Sequence, residues 1–249
     1  MSETRVITAA LLVIGDEILS GRTKDRNIGI VATHLTEIGI QLREVRVVGD
    51  EATAIVEAVN ALRHRYTYLF TTGGIGPTHD DITADCIAQA FGVPIDIDPR
   101  AVAIMQPAYE KRGIELNAAR LRMARIPQGA QLVANTVSVA PGFRIGNVIV
   151  MAGVPAIMES MLLAATAEIE TGAKMRSVSI PVAHAEGEIA ELLAAHQREW
   201  PDVAMGSYPS FKDGQYSTDL VLRATDATKL AEAADGLRNR LHKSGFNFS

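Results

Sequence analysis

Glycines and carboxylates stand together in one short stretch, Thr71 to Thr83, which reads T-T-G-G-I-G-P-T-H-D-D-I-T. The stretch follows the apolar run Tyr66 to Phe70, whose composition predicts a buried strand. Glycine lacks a β-carbon and lets backbone N–H groups approach a ligand closely, so a glycine-rich loop before a helix predicts a phosphate cradle. Asp80 and Asp81 would repel a bare phosphate. A divalent metal between carboxylate and phosphate reconciles these charges.

The same residues have plainer roles as well. Asp80, Asp81 or Thr83 can cap the helix that continues from Ala84 to Phe91. Only one of them is needed as a cap, and the second carboxylate therefore favours metal or phosphate chemistry at this point. The candidate phosphate or nucleotide contacts of the loop are Thr72, Gly73, Gly74, Gly76, Pro77 and Thr78.

Two earlier predicted strands also end in polar residues. The apolar run Val6 to Ile14 ends at G-D-E, which places Asp16 at a strand tip, and the run Gln41 to Val48 ends at Gly-Asp50. The β-α-β-α-β order predicts a parallel sheet with right-handed crossovers and helices on both faces. Ligands collect at the carboxyl ends of such strands, so we expect Asp16 and Asp50 beside the glycine loop. Asp16 suits a hard cation, whereas Asp50 by itself fits a solvated strand end.

A second strand–glycine–helix junction follows the apolar run Val148 to Ala152, and it should lie near the first. It adds Gly153 and Pro155 to the candidate nucleotide contacts. Asn27 precedes a helix predicted from Ile28 to Ile38. Either Asn27 or Asp25 can cap that helix, and a substrate contact is the second interpretation of Asn27.

The pattern changes near Gly172, which predicts two domains, 1–172 and 173–249. The first is predicted to be a three-layer α/β/α domain with a mostly parallel sheet. The second has the order β-α-β-β-α, with a hairpin turn at Asp213 and Gly214, and is predicted to be a small α+β module.

Composition excludes several classes of function. The net charge of −5 argues against a nucleic-acid partner. The single cysteine, Cys86, excludes an internal disulfide and a cysteine-based zinc site, and its helical position predicts a buried apolar role. No apolar run reaches the roughly 20 residues that a membrane span needs. The first residues lack the layout of a signal peptide, so we expect a cytoplasmic protein without a membrane partner.

Taken together, these motifs resemble the molybdopterin-binding (MoCF biosynthesis, MogA/MoaB-like) domain, in the variant found in the competence/damage-inducible (CinA) family and in eukaryotic FAD synthases. Further landmarks agree in order: G-D-E-I-L-S-G-R-T-K-D-R-N, V-V-G-D, A-P-G-F and A-G-V-P-A-I-M-E. The resemblance implies a MogA-like fold over residues 6–170. The C-terminal motifs G-S-Y-P and F-K-D-G-Q-Y resemble the segment that follows in CinA-like proteins, and the deamidase domain of full-length CinA is expected to be absent.

The resemblance implies two chemistries. In molybdopterin adenylyltransferases two aspartates act, and they match Asp50 and Asp81 here, which makes these the candidate catalytic residues. CinA-type domains carry the P-T-x-D-D variant and resemble metal-dependent pyrophosphatases of ADP-ribose-like or FAD-like dinucleotides. A Mg, Mn or Co ion would then be held by Asp80, Asp81 and Asp16. A non-catalytic nucleotide-binding module is the third alternative. The expected partners are a nucleotide or pterin ligand and further copies of the chain in a homo-oligomer.

Overall fold

The computed structural model describes residues 6–212 and 214–248. The chain divides into two compact units, one ending at Gly172 and the other beginning at Ala173. Among the described residues, no helix has the length and apolar character that crossing a membrane requires.

The first unit is built on a six-stranded sheet. Its strands are β1 (Ile7–Ile14), β2 (Ile40–Val48), β3 (Tyr68–Thr72), β6 (Gln131–Val133), β7 (Gly142–Ile145) and β8 (Val148–Met151). They lie in the order β2-β1-β3-β8-β7-β6. The first four strands of that order run parallel, and β7 and β6 extend the sheet with antiparallel pairing. Two short strands, β4 (Ile95–Ile97) and β5 (Arg125–Pro127), form a separate antiparallel pair.

Helices cover both faces of this sheet because successive side chains of a strand point to opposite sides. The helices of this unit are α1 (Asp16–Leu19), α2 (Asn27–Glu37), α3 (Ala52–Arg65), α4 (Thr83–Phe91), α5 (Pro99–Lys111), α6 (Ala118–Leu121) and α7 (Pro155–Thr166). Leu11 and Val13 of β1 pack in one core with α2 and α7, while Leu12 and Ile14 pack in the other with α3, α4 and α5. The predicted three-layer α/β/α fold is therefore confirmed.

Strands β1 and β3 lie side by side, but the chain leaves them in opposite directions. From β1 it continues to β2 at one edge, and from β3 it reaches β8 on the other side. This is a topological switch point, where a crevice opens at the carboxyl ends of the strands. The residues that follow β1 and β3 border that crevice.

None of the three candidate caps of α4, which were Asp80, Asp81 and Thr83, caps that helix. The residue before α4 is Ile82, no side chain caps the helix, and Asp80 and Asp81 lie in the preceding turn. Thr83 instead turns back to the glycine loop: its N–H donates to the Gly74 carbonyl and its hydroxyl to the Gly73 carbonyl.

Asn27 is the first residue of α2 rather than its cap. Asp25 does serve the start of this helix, since its carboxylate accepts from the Ile28 N–H at 2.8 Å. The short helix α1 directly after β1 was not predicted, and it places Asp16 at a helix start rather than in an open turn.

The second unit shows the predicted β-α-β-β-α order. Its elements are β9 (Arg176–Val182), α8 (Glu186–Glu199), β10 (Ala204–Lys212), β11 (Gln215–Ala224) and α9 (Ala227–Lys243). The strands form an antiparallel sheet in the order β10-β11-β9, and Leu220 and Leu222 of its central strand pack against both helices in a core of its own. Of the two residues predicted for the hairpin turn, Asp213 lies outside the described residues, and Gly214 has the positive φ of 80° that a tight turn uses.

Candidate functional site

The tips of the four parallel strands meet at one edge of the sheet. The Gly15 N–H donates to the Val48 carbonyl, and the Gly73 N–H donates to the Met151 carbonyl. Gly73 has φ 105°, and a β-carbon there would lie 2.0 Å from the Ile14 carbonyl oxygen. Only glycine fits at this crossing, and the residue holds the loop after β3 against the end of β1.

Asp16 and Asp50 form the most direct contact between carboxylate-bearing residues at this edge. The Asp16 N–H donates to the Asp50 carboxylate at 3.0 Å, and the Asp50 N–H donates to the Asp16 carboxylate at 3.4 Å. The Asp16 carboxylate lies close to Gly49, because a β-carbon on Gly49 would be 2.4 Å from Oδ1 of Asp16. The structure therefore brings these two predicted residues together as one acidic pair, with Asp16 exposed and Asp50 half-buried.

The carboxylate of Asp81 is hydrogen-bonded within its own turn. Its carboxylate accepts hydrogen bonds from both the N–H and the hydroxyl of Thr78. A β-carbon at Gly76 would lie 2.6 Å from the same carboxylate, so a larger residue there would displace the Asp81 side chain. Asp80 is exposed, and its carboxylate lies 3.9 Å from Nδ1 of His79. Hydrogen bonding, first with the Thr78 side chain, lowers the pKa of the Asp80 carboxyl.

Asn27 connects α2 to the second glycine junction. Its Nδ2 donates to the Gly153 carbonyl at 2.8 Å, and a β-carbon at Gly153 would lie 3.3 Å from the α-carbon of Gly73. The predicted proximity of the two junctions is therefore present in the structure. Pro155 is the first residue of α7, where its fixed φ suits a helix start, and Pro77 is exposed in the loop.

Residues 10–170 match the family model described as "Probable molybdopterin binding domain", and residues 174–248 match "FAD synthase, middle domain". The chain belongs to the MoCF_biosynth family. A crystal structure of the CinA protein from Thermoplasma acidophilum, described as of unknown function, is 34% identical with a TM-score of 0.60, and the match covers 66% of this chain and 98% of that one.

Two curated relatives extend the likeness over both units. A CinA-like protein from Citrifermentans bemidjiense is 36% identical over 242 residues, which are 93% of this chain and 58% of the relative. A probable FAD synthase from Caenorhabditis elegans is 30% identical, covering 94% of this chain and 50% of the relative. The chain therefore spans between half and three fifths of these two relatives.

The acidic residues that the structure describes do not form a complete metal-binding site. Among the residues that the structure describes, no three His, Cys, Asp or Glu side chains are grouped to hold a metal ion. The set Asp80, Asp81 and Asp16 is thus not assembled, and its metal role stays a prediction. The pair Asp16 and Asp50 does fit a magnesium-type ion, because such ions take one or two carboxylates and complete their shell with substrate phosphates and water.

Arg122 is the residue at this site that sequence reasoning missed. Its Nε donates to the Thr78 carbonyl at 3.1 Å and its terminal nitrogen to the Asp81 carbonyl at 3.3 Å. It thereby ties both ends of the acidic turn to the segment after α6. The neighbouring Arg125 makes two 2.7 Å hydrogen bonds to the carboxylate of Asp85 in α4. No spacing rule connects residues about 40 positions apart, so the sequence carried no signal for these contacts.

A strained loop reaches the same edge. It connects β6 to β7, and β7 begins at Gly142 beside the carboxyl end of β8. Val139 in this loop has φ 82°, an unfavourable conformation for a β-branched residue. The buried Asn135 holds the loop, because its side chain accepts from the N–H groups of Val137 and Ser138 and donates to the Ala140 carbonyl.

Cys86 is buried in α4, as predicted. Burial, with a smaller contribution from the Asp85 carboxylate, raises the pKa of its thiol to about 11. A thiolate is the reactive form of cysteine, so this residue is not a nucleophile at neutral pH.

Proposed function

We propose that this domain is a divalent-metal-dependent pyrophosphatase that hydrolyses the diphosphate of an ADP-ribose-like or FAD-like nucleotide. One observation carries the proposal: the Asp16–Asp50 pair lies at the tips of β1 and β2, beside the glycine loop after β3, at the switch point of the sheet. Open α/β sheets bind their ligands at this place. The relative described as a probable FAD synthase supports a flavin or adenine nucleotide as the ligand.

The roles of the residues follow from their chemistry. The Gly73 N–H is already bonded to the Met151 carbonyl, so the backbone N–H groups of residues 74–76 are the ones suited to bind diphosphate oxygens. Asp16 and Asp50 would hold the metal, which supplies positive charge against the diphosphate. A water attacks one phosphorus in line, the bridging P–O bond breaks, and the bridging oxygen leaves with the other phosphate. With ADP-ribose, the products are AMP and ribose 5-phosphate.

The direct test incubates the purified protein with ADP-ribose or FAD and Mg²⁺, Mn²⁺ or Co²⁺, and measures AMP by chromatography. AMP release that requires a metal and is abolished by EDTA supports the proposal. Absence of AMP with every metal and both substrates rejects it.

A second candidate is molybdopterin binding or adenylyl transfer, which the family description favours. It requires the same cradle but a pterin phosphate as the attacking group. The test is complementation of a strain that lacks the molybdopterin adenylyltransferase. Growth of that strain under molybdenum-enzyme-dependent conditions, together with no AMP release, selects this candidate. Nucleotide affinity without turnover in either assay selects a non-catalytic binding module.

A further inference from the structure

Asn27 carries a buried oxygen without a partner. The residue is 4% exposed, and among the described residues no donor reaches its Oδ1. Its orientation is fixed by chemistry: the Gly153 carbonyl can only accept, so the atom facing it at 2.8 Å must be the Nδ2 donor. Exchanging the two atoms would place two acceptors against each other. Oδ1 is therefore the acceptor that is left free.

Leaving such an acceptor buried is costly, on the order of 1–3 kcal/mol, and native proteins do so rarely. The place where it occurs is informative. Gly153 is exposed and stands next to Gly73, so Asn27 lies one residue below the surface of the candidate site. The hydroxyl of Thr72, directly before Gly73, is likewise buried with no partner in the described part of the chain. Two unpaired polar side chains thus flank the point where the glycine loop meets the second junction.

We propose that the Oδ1 of Asn27 accepts a hydrogen bond from a ligand hydroxyl or N–H beside the diphosphate, with a sugar hydroxyl as the group of choice. This inference rests on the proposed function and deepens it. A diphosphate oxygen is itself an acceptor and would be repelled by Oδ1. Asn27 therefore contacts the group attached to the diphosphate and not the phosphates themselves. The substrate class is then a diphosphate ester with a free hydroxyl close to its bridging group.

The experiment measures separately how much the sugar-bearing part of the ligand and the phosphates contribute to binding. Binding to the whole protein is measured by calorimetry with Mg²⁺ for two probes: the non-hydrolysable methylene analogue of ADP-ribose, and methylenediphosphonate, which has no sugar. Asn27→Ala is expected to weaken binding of the first probe by about 5- to 10-fold, the loss of one hydrogen bond, and to leave the second unchanged.

Asn147 offers a matched control. It also donates from Nδ2 to backbone carbonyls, those of Arg63 and Tyr66, but it lies before the start of β8, at the opposite edge of the sheet. Asn147→Ala should lower thermal stability without changing affinity for either probe. If Asn27→Ala does not fold, Asn27→Ser, which keeps a polar group at the position, is measured in the same way.

Equal weakening of both probes by the Asn27 variant would show that the residue only supports the loop and would overturn the inference. Unchanged affinity for the sugar-bearing probe, or no binding of either probe to the unaltered protein, would overturn it as well. The analogue resists hydrolysis, so this result is independent of turnover. Discrimination between the probes combined with no AMP release from ADP-ribose would reject the pyrophosphatase and retain the binding site.

Discussion

Asp16 and Asp50 each accept a hydrogen bond from the other's backbone N–H, so two residues 34 positions apart fix each other's carboxylate. An acidic pair held by two backbone donors is preorganised, because neither side chain has to be ordered when a cation arrives. Most of the proposed activity depends on this pair.

Replacing either member of the pair by asparagine should abolish metal-dependent hydrolysis. Asp50→Asn keeps an acceptor for the Asp16 N–H and removes only the charge, so the fold should persist while turnover falls by at least about 100-fold. AMP release over a metal titration measures the effect. The control is Asp96→Asn, on the separate strand β4. Wild-type activity in both pair variants would contradict the assignment.

Gly73→Ala should destabilise the first unit far more than Gly21→Ala. Both glycines have positive φ, 105° and 71°, so both changes force alanine into an unfavourable conformation that costs about 1–2 kcal/mol. A β-carbon at Gly21 would meet nothing within 4 Å, whereas at Gly73 it would lie 2.0 Å from the Ile14 carbonyl. That overlap adds about 1–3 kcal/mol.

Urea unfolding of both variants gives the comparison. Circular dichroism is the suitable signal, because the single tryptophan, Trp200, lies in the second unit. Equal destabilisation by the two changes would show that the close contact at Gly73 is not a constraint.

The sequence predicted the fold and the edge at which the strand tips meet, because both follow from local signals. Apolar runs ending in Gly-Asp identified the strand tips, and the alternation of strands and helices implied that these tips meet. It did not predict how the acids are used. The reciprocal bonding of Asp16 and Asp50, the hold of Arg122 on the acidic turn and the unpaired oxygen of Asn27 depend on residues far apart in the chain. The predicted caps of α4 failed for the same reason, since the Thr83 hydroxyl bonds to the Gly73 carbonyl instead.

Arg122→Ala should loosen the turn that carries Asp80 and Asp81 and lower kcat/KM by roughly 10- to 100-fold, as small displacements of site residues do. Arg122→Lys should recover part of the loss, since lysine can reach one of the two carbonyls but not both. Hydrogen exchange of the peptide over residues 76–83 should rise in the alanine variant. Arg120→Ala is the control, because Arg120 donates to the Glu115 carbonyl. Unchanged exchange in the Arg122 variant would refute the role of this residue in ordering the turn.

Val139→Gly should leave the protein as stable as before or more stable by up to about 1 kcal/mol. Relief of the strained φ of 82° outweighs the entropy that glycine adds to the unfolded chain. Val137→Gly, in the same loop but without positive φ, should destabilise. Urea midpoints decide between these outcomes. A Val139 variant that loses as much stability as the Val137 variant would mean that backbone strain does not decide the effect of glycine at this position.

The first unit should lose stability at acidic pH because of Asp98. Asp98 caps α5 by accepting from the Arg100 N–H at 2.8 Å, and its ion pair with the Arg100 guanidinium lowers the pKa of the carboxyl. A carboxyl whose pKa is lower in the folded state stabilises the protein above its unfolded pKa of about 3.9, and this contribution is lost as pH falls through the folded pKa. Asp98→Ala should therefore cost about 1 kcal/mol at pH 7, with a difference from wild type that shrinks below pH 4.

Asp98→Asn separates the cap from the charge. Asparagine caps a helix as well as aspartate does, but it does not titrate, so this variant should keep much of the stability at pH 7 and lose the pH dependence. Urea midpoints at pH 7, 4 and 3 for the wild type and both variants test the argument. If the difference between wild type and Asp98→Ala stays constant over this range, the ionised carboxylate does not contribute through its interaction with Arg100.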